Sequence, residues 1–258
     1  MKLNLVVTEK PSVAMSLSKV LGATSRQDGY YEGNGYLVSW CVGHLVQMAN
    51  PPVYDERYAK WKLEDLPIIP KQYKYEIVNA TKKQFNILKK LMNSKEIETV
   101  INACDAGREG ELIFRLVYEQ AKCNKDVKRL WISSMEDTAI KEGFDKLKDG
   151  KDYDNLFESA QTRAIADWLV GMNMSRLYSL LYNQNYSVGR VQTPTLAMIV
   201  DRDKEIKNFT KEKYYTVELA LPDFALSTDR IDSLEAAKQL IRTVKDKIEI
   251  TAVIKKEK

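Results

Sequence analysis

Histidine and cysteine are scarce in this chain, with one histidine, His44, and three cysteines, Cys41, Cys104 and Cys123, in 258 residues. No two cysteines stand in CxxC spacing, so neither a zinc ribbon nor a disulfide framework follows from them, and an odd set of thiols suits a reducing compartment. A metal site would then be built on carboxylates, which favours a hard ion such as Mg²⁺ over zinc. Long apolar runs are missing as well. MKLNLVVTEKPS reaches Thr8 and Glu9 too soon for a secretion signal, and no stretch approaches the ~20 residues that span a bilayer. The expectation is a soluble, cytoplasmic monomer with no membrane partner and no zinc. A strong charge bias is also absent: 40 Lys and Arg face 36 Asp and Glu, a net charge of +4. That mild basic tilt permits a nucleic-acid partner without requiring one.

What is present is alternation of strand and helix patterns. Leu3–Thr8, Tyr36–Val42, Glu98–Cys104 and Lys128–Ile132 read as strands. Ser12–Leu21, Thr81–Met92, Glu109–Ala121 and Glu136–Leu147 read as helices, the third with Leu112, Ile113, Leu116 and Val117 on one face. The order predicts an α/β fold, a parallel sheet with helices on both faces, over residues 1–152. After LKDGKDYD the texture becomes helical. Asn155–Tyr182 has no proline, and TLAMIVDRDKEI continues helical to Lys207, so residues 153–212 form a mainly helical region. From Lys213 a strand pattern, YYTVELAL, opens a short β segment, 213–258, that ends in KKEK.

In such a sheet, functional groups gather at the carboxyl ends of the strands. Glu9 ends the first strand there, Asp105 ends the strand before NACDAGREGELIF, and Glu109 opens the next helix. Three converging carboxylates repel unless a cation joins them, and Mg²⁺ with its retained waters would relieve that cost. Helix capping by Glu9 and Asp105, with Glu109 and Glu111 as solvated first-turn acids, accounts for the same spacing equally well. Lys10, directly after Glu9, is placed to neutralise a phosphate or a developing charge.

VTEKPSVA followed about a hundred residues later by DAGREGELIFR resembles the Toprim domain, the metal-binding catalytic domain of type IA and type II topoisomerases, primases and some nucleases. The usual Toprim pattern is Asp-x-Asp. Here Asp105 matches the first acid, Gly107 takes the place of the second, and Glu109 matches the further acid of the type IA branch. The resemblance implies one Mg²⁺ on Glu9 and Asp105, with Glu109 direct or through water, and Glu9 and Lys10 as catalytic residues. RAIADWLVGMNMSRLYS with SVGRVQTPTLAMIVDRDKEI, and CVGHLVQM with YAKWKLEDLPIIP, resemble type IA topoisomerases of the bacterial topoisomerase III type. The fold implied is a Rossmann-like Toprim sheet at 1–152, the first part of a helical DNA-binding domain at 153–212, and the beginning of an arch domain at 213–258.

Residue chemistry is compatible with that likeness. Ser187 and Gly189 leave backbone N–H groups open to a phosphate, with Val188 and Val191 completing the turn. Arg190 offers a forked donor, and Gln192 can bond a base edge or sugar. Arg163, Asp167 and Trp168 lie on neighbouring helical turns and Arg176 follows Asn173 by three, so cations and a ring could line a single-strand DNA groove; Trp168 as a packed core ring is the competing reading. Trp61 resembles a position near the DNA, with packing an equal alternative, and His44 reads as a structural hydrogen-bonder.

Type IA topoisomerases cut through a tyrosine that becomes linked to a 5′ phosphate, and none of the fourteen tyrosines here stands in the family's Tyr-Pro-Arg context. The resemblance therefore implies ATP-independent strand breakage, passage and rejoining in which this chain supplies metal and acid but not the nucleophile, as an N-terminal portion apparently truncated at Lys258. A Toprim nuclease or primase-like enzyme, and a non-catalytic DNA-binding module, are the alternatives.

Overall fold

The computed structural model describes residues 2–243, so the terminal KKEK and the rest of 244–258 lie outside the described residues. In chain order the elements are β1 (Leu3–Thr8), α1 (Pro11–Leu21), β2 (Ser25–Gln27), β3 (Tyr30–Gly33), β4 (Tyr36–Trp40), β5 (Val46–Met48), β6 (Tyr75–Ile77), α2 (Lys82–Met92), β7 (Ile97–Ala103), α3 (Arg108–Gln120) and β8 (Asp126–Arg129). They continue with α4 (Asp137–Asp145), β9 (Lys148–Asp149), α5 (Asp154–Tyr182), α6 (Gln192–Lys207), β10 (Glu218–Ala220), β11 (Ala225–Ser227) and α7 (Leu234–Thr243).

The main sheet has seven strands in the order β2-β3-β4-β1-β7-β8-β9. Its centre, β4-β1-β7-β8, is parallel. The expected parallel sheet is thus present at the centre, and antiparallel strands extend it at both edges. The reason lies in the links: Asn34 and Gly35, at φ 46° and 79°, join β3 to β4 through a two-residue turn, which permits only an antiparallel return. The fourth expected strand, Lys128–Ile132, is found two residues earlier at Asp126–Arg129, the stretch that pairs with β7.

Side chains alternate across the sheet and divide the core into two layers. Leu5, Val7 and Val100 face Phe85, Leu88 and Met92 of α2, Leu112 and Leu116 of α3, and Phe157 of α5. Val6, Val38 and Ile101 face Ala14 and Leu17 of α1 and Ile140 of α4. Each fully buried large side chain contributes ~1.5–3 kcal/mol. Together the two layers hold the ends of β1 and β7 in place.

By compactness the described residues fall into two units, one through Thr195 and one from Leu196. Residue 152 marks a change of sequence texture rather than of compactness, since α5 packs on α3 and contributes Phe157 and Ala160 to the first core layer. In the second unit β10 and β11 form an antiparallel hairpin, with Tyr215 bridged to Ile231, so YYTVELAL is strand only over Glu218–Ala220. None of the described helices is long and apolar enough to cross a membrane.

Candidate active site at the carboxyl edge of the sheet

β1 and β7 are parallel neighbours with Thr8 opposite Ala103. The next residues of both strands, Glu9, Lys10 and Asp105, therefore emerge side by side. Backbone bonds fix the turn that carries the first two: Cys41 N–H donates to Thr8 O at 2.7 Å and Gly43 N–H to Glu9 O at 3.3 Å. Thr8 Oγ1 donates to Lys10 O at 2.9 Å. Lys10 Nζ then reaches Asp105 Oδ2 at 3.1 Å and lies 3.6 Å from Glu9 Oε1. The Lys10 ammonium is held above its ordinary pKa, first by the hydrogen bond to Asp105, then by the charges of Asp105 and Glu9. Lys10 is thus the counter-ion of both acids.

Glu109 stands apart from this trio. It lies in the first turn of α3, 3.7 Å from His44 Nε2, with both side chains exposed. Among the described residues no three His, Cys, Asp or Glu side chains are gathered closely enough to hold an ion. The donor set instead fits an ion that takes one or two carboxylates and keeps several waters, which is how Mg²⁺ is commonly held beside phosphates. Cys41 and Cys104, buried beneath Glu9, offer no softer alternative. The Cys104 thiol is pushed well up by its hydrogen bond with Cys41 and by burial, and stays protonated.

The two glycines of DAGREG play opposite parts. A Cβ on Gly110 would lie 2.1 Å from Asp105 O, so only glycine lets α3 start this close to the Asp105 backbone. Gly107 has extended backbone, φ 168°, and a Cβ there meets nothing within 4 Å. Its lack of a carboxylate is not a steric demand.

Behind Asp105 lies a group of charges that the sequence pattern did not reveal. Glu111, expected to be solvated, is 1% exposed. It accepts from Asn102 Nδ2 at 2.9 Å and from Arg115 Nε at 2.9 Å. Arg129 Nε sits 3.0 Å from Glu111 Oε2, an ion-pair distance, although its N–H is not aimed for a hydrogen bond. Arg129 donates through Nη1 to the carbonyls of Asn102, Cys104 and Leu130, and through Nη2 to that of Asp105 at 2.9 Å. Burial lowers the Arg129 pKa from its ordinary value while Glu111 opposes that shift. These bonds fix the backbone from which Asp105 projects. An acid and an arginine four apart inside an apolar helix was the available signal.

Residues from the later helices come to the same edge. A cavity of about 460 Å³ is lined by His44 and Glu109 together with Arg163, Asp167 and Trp168 of α5. Arg190 donates to Asp167 through Nε, and through Nη2 at 3.2 Å, and Arg163 Nε is 3.9 Å from the same carboxylate. Asp167 is held below its ordinary pKa, first by the Arg190 hydrogen bond, and Arg190 is raised by the same bond. Trp168 packs against Tyr54 and Tyr73, with centroids 5.8 and 6.4 Å away, while its ring also lines the cavity.

Two expectations about this second set change. The Val188 and Gly189 N–H groups of the SVGRVQT turn are already bonded: Val188 N–H donates to Ser175 Oγ at 2.9 Å and Gly189 N–H to Thr193 Oγ1 at 3.0 Å, while Ser187 Oγ accepts from Gln192 Nε2 at 2.8 Å. The turn therefore presents the exposed side chains of Arg190 and Val191 rather than a backbone cradle. Arg176 is buried, donates to Tyr58 O at 2.9 Å and lies under Trp61 at 5.3 Å, which makes it a tie between α5 and the 51–74 loop rather than a groove cation. Trp61 itself is 42% exposed.

Parallel strands that deliver a glutamate and an aspartate to one sheet edge, with a glycine-opened helix behind the aspartate, define a Toprim site. The Toprim domain family matches residues 4–135, half of the chain, and the chain belongs to it. A second family, described as DNA topoisomerase, matches residues 151–258. The chain is similar to DNA topoisomerase 3 of Bacillus cereus, 49% identical over 218 residues, which covers 84% of this chain and 30% of that protein. DNA topoisomerase 3 of Bacillus subtilis is 43% identical over 99% of this chain and 36% of its own length. The chain thus spans about a third of the relatives it matches. Among solved structures, full-length topoisomerase I from Thermotoga maritima shares the fold, with a TM-score of 0.58 and 22% identity over 93% of this chain and 37% of that one.

Proposed function

We propose that the chain acts in ATP-independent, Mg²⁺-dependent breakage, passage and rejoining of single DNA strands, as the acid and metal part of a topoisomerase of the topoisomerase 3 type. The observation that carries this reading is the Glu9–Lys10–Asp105 trio at the sheet edge, with the first turn of the following helix opening, at Glu109, a cavity lined by Arg163, Asp167 and Trp168. Toprim domains generally bind Mg²⁺, and type IA topoisomerases bind single-stranded DNA.

Glu9 and Asp105 would hold the ion, with Glu109 in reach through water, and the ion would supply positive charge to a phosphate group. Lys10 is charged at neutral pH and donates toward the same point, so it can stabilise an oxyanion or return a proton to a leaving 3′ oxygen while Glu9 orients it. Arg163, and Arg190 once it divides its donors between Asp167 and a phosphate, hold the backbone of a single strand, and Trp168 gives a base a ring face. Trp61 offers a second exposed ring, and Gln192 and Ser187 shape the turn that aims Arg190. In this reading the nucleophilic tyrosine is supplied from outside this chain, because none of the fourteen tyrosines stands in a Tyr-Pro-Arg context. A cytoplasmic site of action belongs to the same reading.

The test uses the purified chain with a labelled single-stranded oligonucleotide and a negatively supercoiled plasmid. Binding that responds to Mg²⁺, loss of that response in Asp105→Asn, and no plasmid relaxation are the expected results. An unchanged Mg²⁺ response in Asp105→Asn would remove the metal site. Relaxation by this chain alone would remove the missing-nucleophile reading, and Mg²⁺-dependent cutting without rejoining would favour a nuclease.

A further inference from the structure

The lysines of α2 take no part in the edge site. From residue 77 to residue 95 the chain has five lysines and no carboxylate. Lys82, Asn86, Lys89, Lys90 and Asn93 recur at intervals of three and four and so form one stripe along α2, while Phe85, Leu88, Leu91 and Met92 turn the other face into the core. Lys83, at the edge of the stripe, pairs with Asp28. Lys82, Lys89 and Lys90 are exposed, and no described acid pairs with them. Across a shallow groove of about 490 Å³ stands Lys122, also exposed and unpaired. It occupies a left-handed backbone position, φ 56°, just past α3, where glycine or asparagine is the usual occupant. Asn93 Nδ2 locks the two helix ends by donating to Ala121 O at 3.0 Å.

Four like charges with no internal counter-charge make a surface suited to a polyanion. The stripe runs ~16 Å at 1.5 Å per residue, long enough to meet two or three successive phosphates. No large apolar side chain between residues 70 and 130 is exposed, so the surface has no ring on which an unpaired base could stack. Single strands are held by stacking as well as by charge, whereas a surface of ammonium and amide donors alone matches phosphates whose bases are turned inward. α2 leads into β7 and α3 leads out of it, so the end of α2 and Lys122 sit at the amino edge of the sheet. The seven residues of β7 separate this edge from Asp105 by roughly 20 Å.

We propose that the Lys82–Lys89–Lys90–Lys122 surface docks the phosphate backbone of a DNA duplex, a second DNA contact distinct from the single-strand edge. The proposal goes beyond the function above and stands without it. The test compares the full chain with Lys89→Gln/Lys90→Gln/Lys122→Gln, and with a control of equal charge loss on the opposite sheet face, Lys19→Gln/Lys141→Gln/Lys146→Gln. Anisotropy is read on a short blunt duplex and on a single strand of equal length between about 50 and 200 mM KCl. The groove variant should flatten the duplex slope of log K against log salt by about 2.7, three contacts at ~0.9 each, and leave single-strand binding unchanged. The control should leave both slopes as they are. Equal losses in groove variant and control would overturn the proposal, as would an unchanged duplex slope, which would leave an acidic polypeptide as occupant. An equal loss on the single strand would also overturn it, by making the stripe a single-strand track.

Discussion

Asp105 and Glu111 lie six residues apart in one motif and live in different solvents. Asp105 is half exposed, held by one lysine at the sheet edge. Glu111 is buried among Asn102, Arg115 and Arg129. The edge carboxylate can exchange partners at little cost because water replaces whatever leaves. The buried one cannot, since Arg129 would then keep a charge with no counter-charge in a low dielectric. Reactivity and rigidity are thus split between two acids that spacing alone makes look alike.

The largest effect that would test this contrast is Glu111→Ala, expected to cost ~3–5 kcal/mol in urea unfolding, because it strips a buried cation of its partner. Asp105→Ala should stay within about 0.5 kcal/mol of the parent in the same assay. Equal losses would erase the distinction. Next comes Gly110→Ala, which forces α3 off the Asp105 carbonyl and should cost ~1–3 kcal/mol. Gly107→Ala, one turn earlier and facing open space, should fold as well as the parent.

The smallest effect is acid-dependent and sits at the exposed end of the comparison. Asp167 is held below its ordinary value of 3.8 by Arg190. Whatever this pair contributes is therefore complete above that value and disappears as the pH falls through the lower folded value. Being mostly solvated and screened, the pair should give the smallest effect of the series. An NMR titration of the Asp167 carboxyl should show the depressed midpoint, and Arg190→Ala should return it to the ordinary range.

Most of the frame was legible because burial leaves a period in sequence. β1 begins and ends where its apolar run does, and α2, α3 and α5 fall within a residue or two of their patterns. β2, β3 and β9 were passed over because strands of two to four residues are too short to show a period, although Asp28-Gly29 and Asn34-Gly35 were turn signals. Glu9, Lys10 and Asp105 were legible because strand ends are. Arg176 was misplaced because a helix face cannot be assigned to groove or core without the loop that covers it, here Tyr58 and Trp61. The bonded turn around Gly189 depended on Ser175 and Thr193, whose hydroxyl directions no spacing rule supplies.

Lys10 has one more consequence. An ammonium already seated between Glu9 and Asp105 acts as a resident substitute for a cation, so the edge holds its shape whether or not an ion is in place. Many small metal sites collapse when stripped, because the ion is part of what folds them. Here a chelator should abolish the Mg²⁺ response of DNA binding and leave the melting curve where it was, separating the supply of metal from the survival of the protein.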